Sequence, residues 1–170
     1  MAALRAATAD RHRALEGALD LLDDHLTLAR WREALGTLLR VVEPLEAALD
    51  RTPPPIDDWP ARRRAALLRH DAGDPERVPP PPALPDVALP SPAMGALYVL
   101  EGSTLGGRHV ARHVRRVLGG GAGVRWFTAY GDDTATRWAT FRVAASAGHD
   151  LDAMVEGAAA TFDALLEAAR

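Results

Sequence analysis

The sequence contains no cysteine and no lysine, and it has no apolar run long enough to cross a membrane. The absence of cysteine excludes disulfides and cysteine-type metal sites. All 20 basic residues are arginine, and a formal charge of −3 gives no general attraction for nucleic acid. The first ten residues mix charged and apolar side chains too closely for a signal peptide. We therefore expect a cytoplasmic protein with neither nucleic acid nor membrane as a partner.

What the sequence does have is alanine and leucine, within a hydrophobic content of 48%. Residues with β-branched side chains are sparse, which favours helices over strands. A length of 170 residues suits one domain with a real hydrophobic core. The composition therefore predicts an all-α fold in which residues 1–170 form a single domain.

Apolar residues recur every three or four positions along several stretches, which is typical of amphipathic helices. The stretches that predict helices are 2–20, 28–49, about 59–70, 91–118, about 132–147 and about 150–168. Thr27 is a candidate cap for the second helix, Pro44 should bend it, and Pro53–Pro55 should end it. The prolines of residues 74–90 indicate an extended connector within the domain. We interpret the arginine run Arg62–Arg64 as a solvated face. A second interpretation is a docking patch for an acidic protein.

The first predicted helix carries a histidine on its apolar stripe. Leu4, Thr8, His12, Leu15 and Leu19 share one face, so His12 should point inward. It could be a core histidine that bonds a backbone carbonyl, or a metal ligand. Glu16 follows one turn later, where its carboxylate could bind the second ring nitrogen of a ligating histidine.

The fourth stretch, 91–118, is the most unusual. Ser91 and Pro92 should begin a helix, and the glycines from Gly119 onward should end it. Its interior nevertheless contains Gly102, Gly106 and Gly107, each of which costs roughly 1 kcal/mol relative to alanine. Such glycines serve either close helix packing and bending, or contact between the backbone and a flat ligand.

Two of these segments resemble one family. Residues 98–107, Y-V-L-E-G-S-T-L-G-G, resemble the distal helix of bacterial haem oxygenases, especially those that accompany bacteriophytochromes. Residues 4–16, L-R-A-A-T-A-D-R-H-R-A-L-E, are similar to the first helix of that family, with its Leu-x-x-x-Thr-x-x-x-His pattern. The later W-F-x-x-Y-G and W-x-x-F patterns are similar too, but they are less specific.

The resemblance implies a helical bundle that holds haem between the first helix and a glycine-kinked distal helix. His12 would be the axial ligand of the haem iron, Glu16 its partner carboxylate, and Arg5 a cation near a haem propionate. On the distal side the resemblance implies catalytic roles for Gly102, Ser103 and Gly106, and haem contacts for Gly102, Gly106 and Gly107.

The resemblance also implies a reaction. Haem, as substrate and cofactor, would be opened by O2 to biliverdin, carbon monoxide and ferrous iron. The sequence shows no flavin or nicotinamide motif, so the reductant would be external, such as a ferredoxin or a flavodoxin-type reductase. A bacteriophytochrome is the expected recipient of biliverdin.

The sequence departs from the family at two places. Ser103 stands where many haem oxygenases carry an aspartate. The positions that should supply later rim contacts are Ala139 and Val143, which leaves their neighbours Arg137 and Arg142 as substitutes. Three alternatives therefore stay open: a haem carrier of the same fold, a helical interaction module, and a non-haem di-iron oxygenase. His109 and His113 could also form a metal-binding pair, although a solvated pair is the simpler interpretation.

Overall fold

A computed structural model of the chain describes residues 1–51 and 56–170. All regular structure in this part of the chain is helical, which confirms the predicted all-α class. The six α-helices are α1 (Ala2–Leu19), α2 (Leu28–Leu49), α3 (Ala65–Asp71), α4 (Pro90–Leu118), α5 (Thr134–Ala145) and α6 (Leu151–Ala168). Short 3-10 turns lie at Trp59–Ala61, Trp126–Thr128 and Gly131–Asp133.

The helices with long apolar stripes begin and end close to the predicted positions. The α2 boundaries are those predicted, and the Thr27 hydroxyl caps this helix by accepting a hydrogen bond from the Arg30 amide at 3.2 Å. The helix continues through Pro44, so the bend expected there stays a prediction. The prediction that Pro53–Pro55 ends α2 concerns residues outside the described ranges.

The helix predicted for residues 59–70 is interrupted. A 3-10 turn, Trp59–Ala61, is followed by three residues outside any helix, and α3 begins only at Ala65. Arg62 and Arg64 leave the helical path because their side chains turn into the protein interior, where they are 1% and 3% exposed. Both interpretations of the arginine run are therefore wrong, since only Arg63 faces solvent.

Helix α4 begins one residue before the predicted start. Leu89 is its capping residue, and the Ser91 hydroxyl instead accepts a hydrogen bond from the Asp150 amide at 3.0 Å, where α6 begins. The helix ends at Leu118 as predicted, and Gly119 takes a φ of 79°. Helical structure runs unbroken through Gly102 and Gly106, so a kink at these glycines stays a prediction.

Helix α6 packs against both α1 and α4. Its approach to α4 depends on two glycines, because a Cβ on Gly95 would overlap the Met154 carbonyl and a Cβ on Gly157 would overlap the Pro92 carbonyl. The hydrophobic core runs between α2, α4 and α6 and includes Trp31, Leu97 and Phe162. This arrangement makes α6 a common support for the two helices that carry the predicted site.

The connector between α3 and α4 lacks regular structure over residues 77–87, as the prolines predict. Because its carbonyls have no partners in a helix or sheet, side chains of the bundle bind them. Arg40 donates to the Pro80 carbonyl at 2.6 Å, and Arg69 donates to the Pro75 carbonyl at 2.8 Å. Arg69 also makes two hydrogen bonds to the Glu43 carboxylate, at 2.7 and 2.6 Å.

We expect Glu43→Gln to destabilise the protein by about 0.5–1 kcal/mol at pH 7, because the ion pair is about one-third exposed and partly screened. The hydrogen bond from Arg69 holds the pKa of Glu43 below its usual range. The stabilisation should therefore be complete above the unfolded pKa, about 4.3, and disappear as the pH falls through the folded pKa. Urea unfolding as a function of pH measures this, with Glu33→Gln on the exposed face of the same helix as the control. A pH-independent difference would contradict the prediction.

Among the described helices, none combines the length and the apolar character needed to span a bilayer.

Candidate functional site

His12 lies at the edge of the contact between α1 and α6 rather than inside it. Leu4, Thr8 and Leu15 on the same stripe are buried, but the His12 side chain is 57% exposed. Its ring meets the Phe162 ring edge-on, with centroids 5.8 Å apart and planes at 84°. The predicted inward orientation is therefore wrong: the histidine contacts an aromatic ring of α6 and stays accessible.

The two ring nitrogens of His12 have different surroundings. Nδ1 lies 3.5 Å from the Glu16 carboxylate, one helical turn further on. No hydrogen bond within the described residues involves Nε2 of His12. With its proton on Nδ1 facing Glu16, a neutral imidazole presents the Nε2 lone pair to a metal. The Glu16 carboxylate thus lies near the Nδ1 atom of His12, where the predicted contact between the two residues would form.

Gly102 and Gly106 face open space. A Cβ added to either residue would have no heavy atom within 4 Å outside its own helical turn. They lie four residues apart on one side of α4, which we call the glycine surface. Leu105, in the same turn, is 51% exposed despite its apolar side chain. Within the described part of the chain, nothing is close enough for an added Cβ to touch, so close helix packing does not explain these two glycines.

Gly107 differs from its neighbour. It is buried, and a Cβ there would overlap the Phe127 carbonyl oxygen and lie 3.0 Å from the carbonyl carbon. The haem contact predicted for Gly107 is therefore corrected: the residue faces the 3-10 turn at Trp126–Thr128, and packing explains its lack of a side chain.

The two hydroxyls beside the glycines bond back to their own helix. Ser103 donates to the Leu100 carbonyl at 2.6 Å, and Thr104 donates to the Glu101 carbonyl at 2.7 Å. Ser103 is only partly buried, whereas Thr104 is buried. With its proton committed to Leu100, the Ser103 oxygen is left as a hydrogen-bond acceptor.

The predicted rim cations divide into two groups. Arg5 and Arg142 are exposed, and neither appears in any ion pair between described residues. The guanidinium of Arg137 already has partners within the protein. It donates to the Ala61 carbonyl at 3.2 Å and lies 4.7 Å from the centre of the Tyr130 ring. Arg137 is therefore not free to replace the haem-rim contact that the family resemblance implies.

Sequence reasoning missed a buried polar cluster beneath α4. Glu101 and Arg62 are each 1% exposed, and their side chains form an ion pair at 2.5 Å. The Tyr130 hydroxyl donates to the same carboxylate at 2.7 Å. The available signal was a glutamate inside an otherwise apolar and glycine-rich stretch, where a solvated face is improbable.

Other candidate sites lie elsewhere or have another explanation. A cavity of about 420 Å³ is lined by Arg108, Arg112, Arg115, Thr128 and Gly131, none of them a predicted site residue. The Nε2 atom of His113 lies 3.0 Å from the Asp23 carbonyl, so this histidine contacts the α1–α2 connection and is not simply solvated. Within residues 1–51 and 56–170, no group of three or more histidine and carboxylate side chains is placed to hold a metal ion.

Comparison with known proteins shows what the chain is similar to. Over 111 residues the chain is 35% identical to a protein named "Heme oxygenase" from Xanthomonas campestris pv. campestris (strain 8004). The aligned region covers 63% of this chain, and the chain spans about three-fifths (61%) of that relative's length. No family model matches the chain. No solved structure matches it either.

Proposed function

We propose that this chain is a haem oxygenase that binds haem between α1 and the glycine surface of α4. It would open the ring to biliverdin, carbon monoxide and ferrous iron. The observation that carries the proposal is the open surface at Gly102 and Gly106, where the helix backbone itself is accessible to a flat ligand. The likeness to a protein named heme oxygenase supports the same conclusion.

The donor set of α1 fits haem. His12 would ligate the iron through Nε2, with the Glu16 carboxylate 3.5 Å from Nδ1 and the Phe162 ring packed edge-on against the imidazole. Arg5 precedes His12 by seven residues, close to two helical turns, so it lies on the same side of α1. Because Arg5 has no acidic partner among the described residues, its guanidinium is available to a propionate.

Bound haem supplies the iron that activates O2 and the carbon ring that is opened. The chain's own contribution on the distal side is space and a few polar atoms. Gly102 and Gly106 leave room above the iron, and Leu105 offers an apolar contact. The Ser103 oxygen would accept a hydrogen bond from a distal water, at the position where the family resemblance places an aspartate. Residues 102–106 themselves carry no charged side chain that would favour O–O cleavage by acid catalysis.

The proposal includes partners that the fold does not contain. Electrons would come from an external donor such as a ferredoxin or a flavodoxin-type reductase, and biliverdin would pass to a recipient such as a bacteriophytochrome. Residues 1–170 would act as one domain in the cytoplasm. The hydrophobic core shared by the helices supports the single domain.

Adding hemin to the purified chain should produce a Soret band, because an accessible imidazole and an open face form a haem site. Supplying a reductant and O2 should then bleach this band and yield a biliverdin spectrum. Absorption spectroscopy and product chromatography measure both steps, and a sample kept without O2 is the control. A Soret band that persists under turnover conditions would favour a haem carrier, whereas no band at all would favour a helical interaction module.

A further inference from the structure

Three buried side chains from distant parts of the chain meet beneath α4. Arg62 donates to the Glu101 carboxylate at 2.5 Å, and Tyr130 donates to its other oxygen at 2.7 Å. Arg62 also donates to Asp58 at 2.6 Å and, through two nitrogens, to the Arg137 carbonyl at 3.3 Å. We call Arg62, Glu101 and Tyr130 the α4 anchor.

Stability alone does not account for the α4 anchor. The desolvation of two buried charges offsets most of their attraction, and apolar side chains of similar volume often stabilise a protein equally well. What a hydrogen-bonded ion pair adds is direction, because each bond fixes a distance and an angle. The α4 anchor therefore constrains the rotation and the depth of α4 more tightly than apolar packing would.

The anchor acts immediately beside the glycine surface. Glu101 directly precedes Gly102, which has no side chain of its own to hold it in place. Arg64 adds a second constraint by donating to the Leu100 carbonyl at 2.6 Å, the same oxygen that Ser103 binds. The position of the open surface is thus set by contacts on the opposite, buried side of the helix.

The protonation of Tyr130 suits this role. Burial, as the main cause, raises the pKa of its hydroxyl, so the phenol keeps its proton near neutral pH and donates to Glu101. The carboxylate of Glu101 and the guanidinium of Arg62 complete a network in which each member has a partner.

We propose that Arg62, Glu101 and Tyr130 are positioning residues that hold the glycine surface of α4 at the height and rotation needed to cover haem. The inference rests on the proposed function. None of the three side chains needs to touch haem, because their effect passes through the helix backbone from Glu101 to Gly102.

Tyr130→Phe tests the proposal, since it removes one hydroxyl and leaves the volume of the ring. Tyr98→Phe is the matched control: it removes a hydroxyl from α4 itself, and that hydroxyl has no hydrogen bond among those of the described residues. In the hemin complex of Tyr130→Phe we expect an unchanged Soret position, because His12 is intact. We expect cyanide affinity of the ferric complex to change severalfold and biliverdin turnover to fall roughly tenfold or more. Tyr98→Phe should alter neither quantity.

A purely structural role gives a different result. The haem-free protein would then melt at a lower temperature, while cyanide affinity and turnover per bound haem would equal those of the wild type, and this outcome would overturn the proposal. Hydrogen exchange of the haem-free protein tests the proposal without relying on hemin binding. Tyr130→Phe should speed amide exchange at residues 102–106 more than at the two ends of α4. If the wild type fails to bind hemin, the proposed function fails, and the exchange pattern still decides whether the anchor holds this segment.

Discussion

His12→Ala is expected to abolish the ferric spectrum of the histidine-ligated hemin complex and to eliminate biliverdin formation. The reason lies in the proposed site: His12 is accessible, its Nδ1 is 3.5 Å from the Glu16 carboxylate, and its ring packs edge-on against Phe162, so Nε2 would be the nitrogen that binds the iron. Because the side chain is 57% exposed, its removal should hardly change the melting temperature of the haem-free protein. Adding imidazole should partly restore the spectrum by filling the space that the side chain leaves.

The chain contains a matched control for this variant. His70 forms the same kind of pair, with its Nδ1 3.2 Å from the Asp74 carboxylate four residues later and with a similar exposure. His70→Ala should therefore leave the hemin spectrum unchanged. Glu16→Gln should weaken hemin binding by up to about tenfold, as loss of an outer partner does at metal sites. An unchanged Soret position in His12→Ala would mean that another residue ligates the iron.

The elements that sequence reasoning found are those whose pattern reports on local contacts. Helices α1, α2, α4 and α6 have long apolar stripes or strong end signals, and their boundaries fall within one residue of those predicted. The error at Ser91 is of another kind. Its hydroxyl can cap α4 or bind the Asp150 amide, and only the three-dimensional fold decides between them.

Long-range polar contacts account for the larger errors. The arginine run looks solvated because most partners that bury Arg62 and Arg64 are distant in the sequence; Asp58, which pairs with Arg62 from four residues before it, is itself 41% exposed. The distant partners include Glu101 and the Leu100 carbonyl, almost 40 residues away in the chain. A charge is buried only when such partners exist, so the sequence around the charge does not reveal its burial.

In the candidate site, too, the sequence predicted some features and not those that depend on distant parts of the chain. The motif led to His12, Gly102 and Gly106. In the structure His12 is exposed and the space beside both glycines is open, and their role in a haem site stays a prediction. The motif did not reveal that Gly107 serves packing, because adjacent residues on a helix point about 100° apart and meet different surroundings.

Gly106→Ala and Gly107→Ala are expected to have opposite effects, although the two residues are neighbours. At Gly106 an added methyl meets open space, so the haem-free protein should gain roughly 1 kcal/mol from the better helix former. At Gly107 the methyl overlaps the backbone of Phe127, which cannot move aside as a flexible side chain could. We expect this overpacking to destabilise the protein by about 1–3 kcal/mol or more.

Gly106→Ala should be the more stable variant without haem, but with haem bound it should be the less active of the two. The methyl of Gly106→Ala would enter the space above the iron. There it would crowd the water from which Ser103 would accept a hydrogen bond, and the yield of biliverdin would fall. Gly107→Ala, where it folds, should retain more turnover per bound haem, because its methyl lies on the buried side of α4. The melting temperature without haem and the biliverdin yield with haem, measured on both variants, test this. Normal turnover by Gly106→Ala together with a lowered melting temperature would show that this glycine serves helix packing, and the glycine surface would then no longer support a haem site.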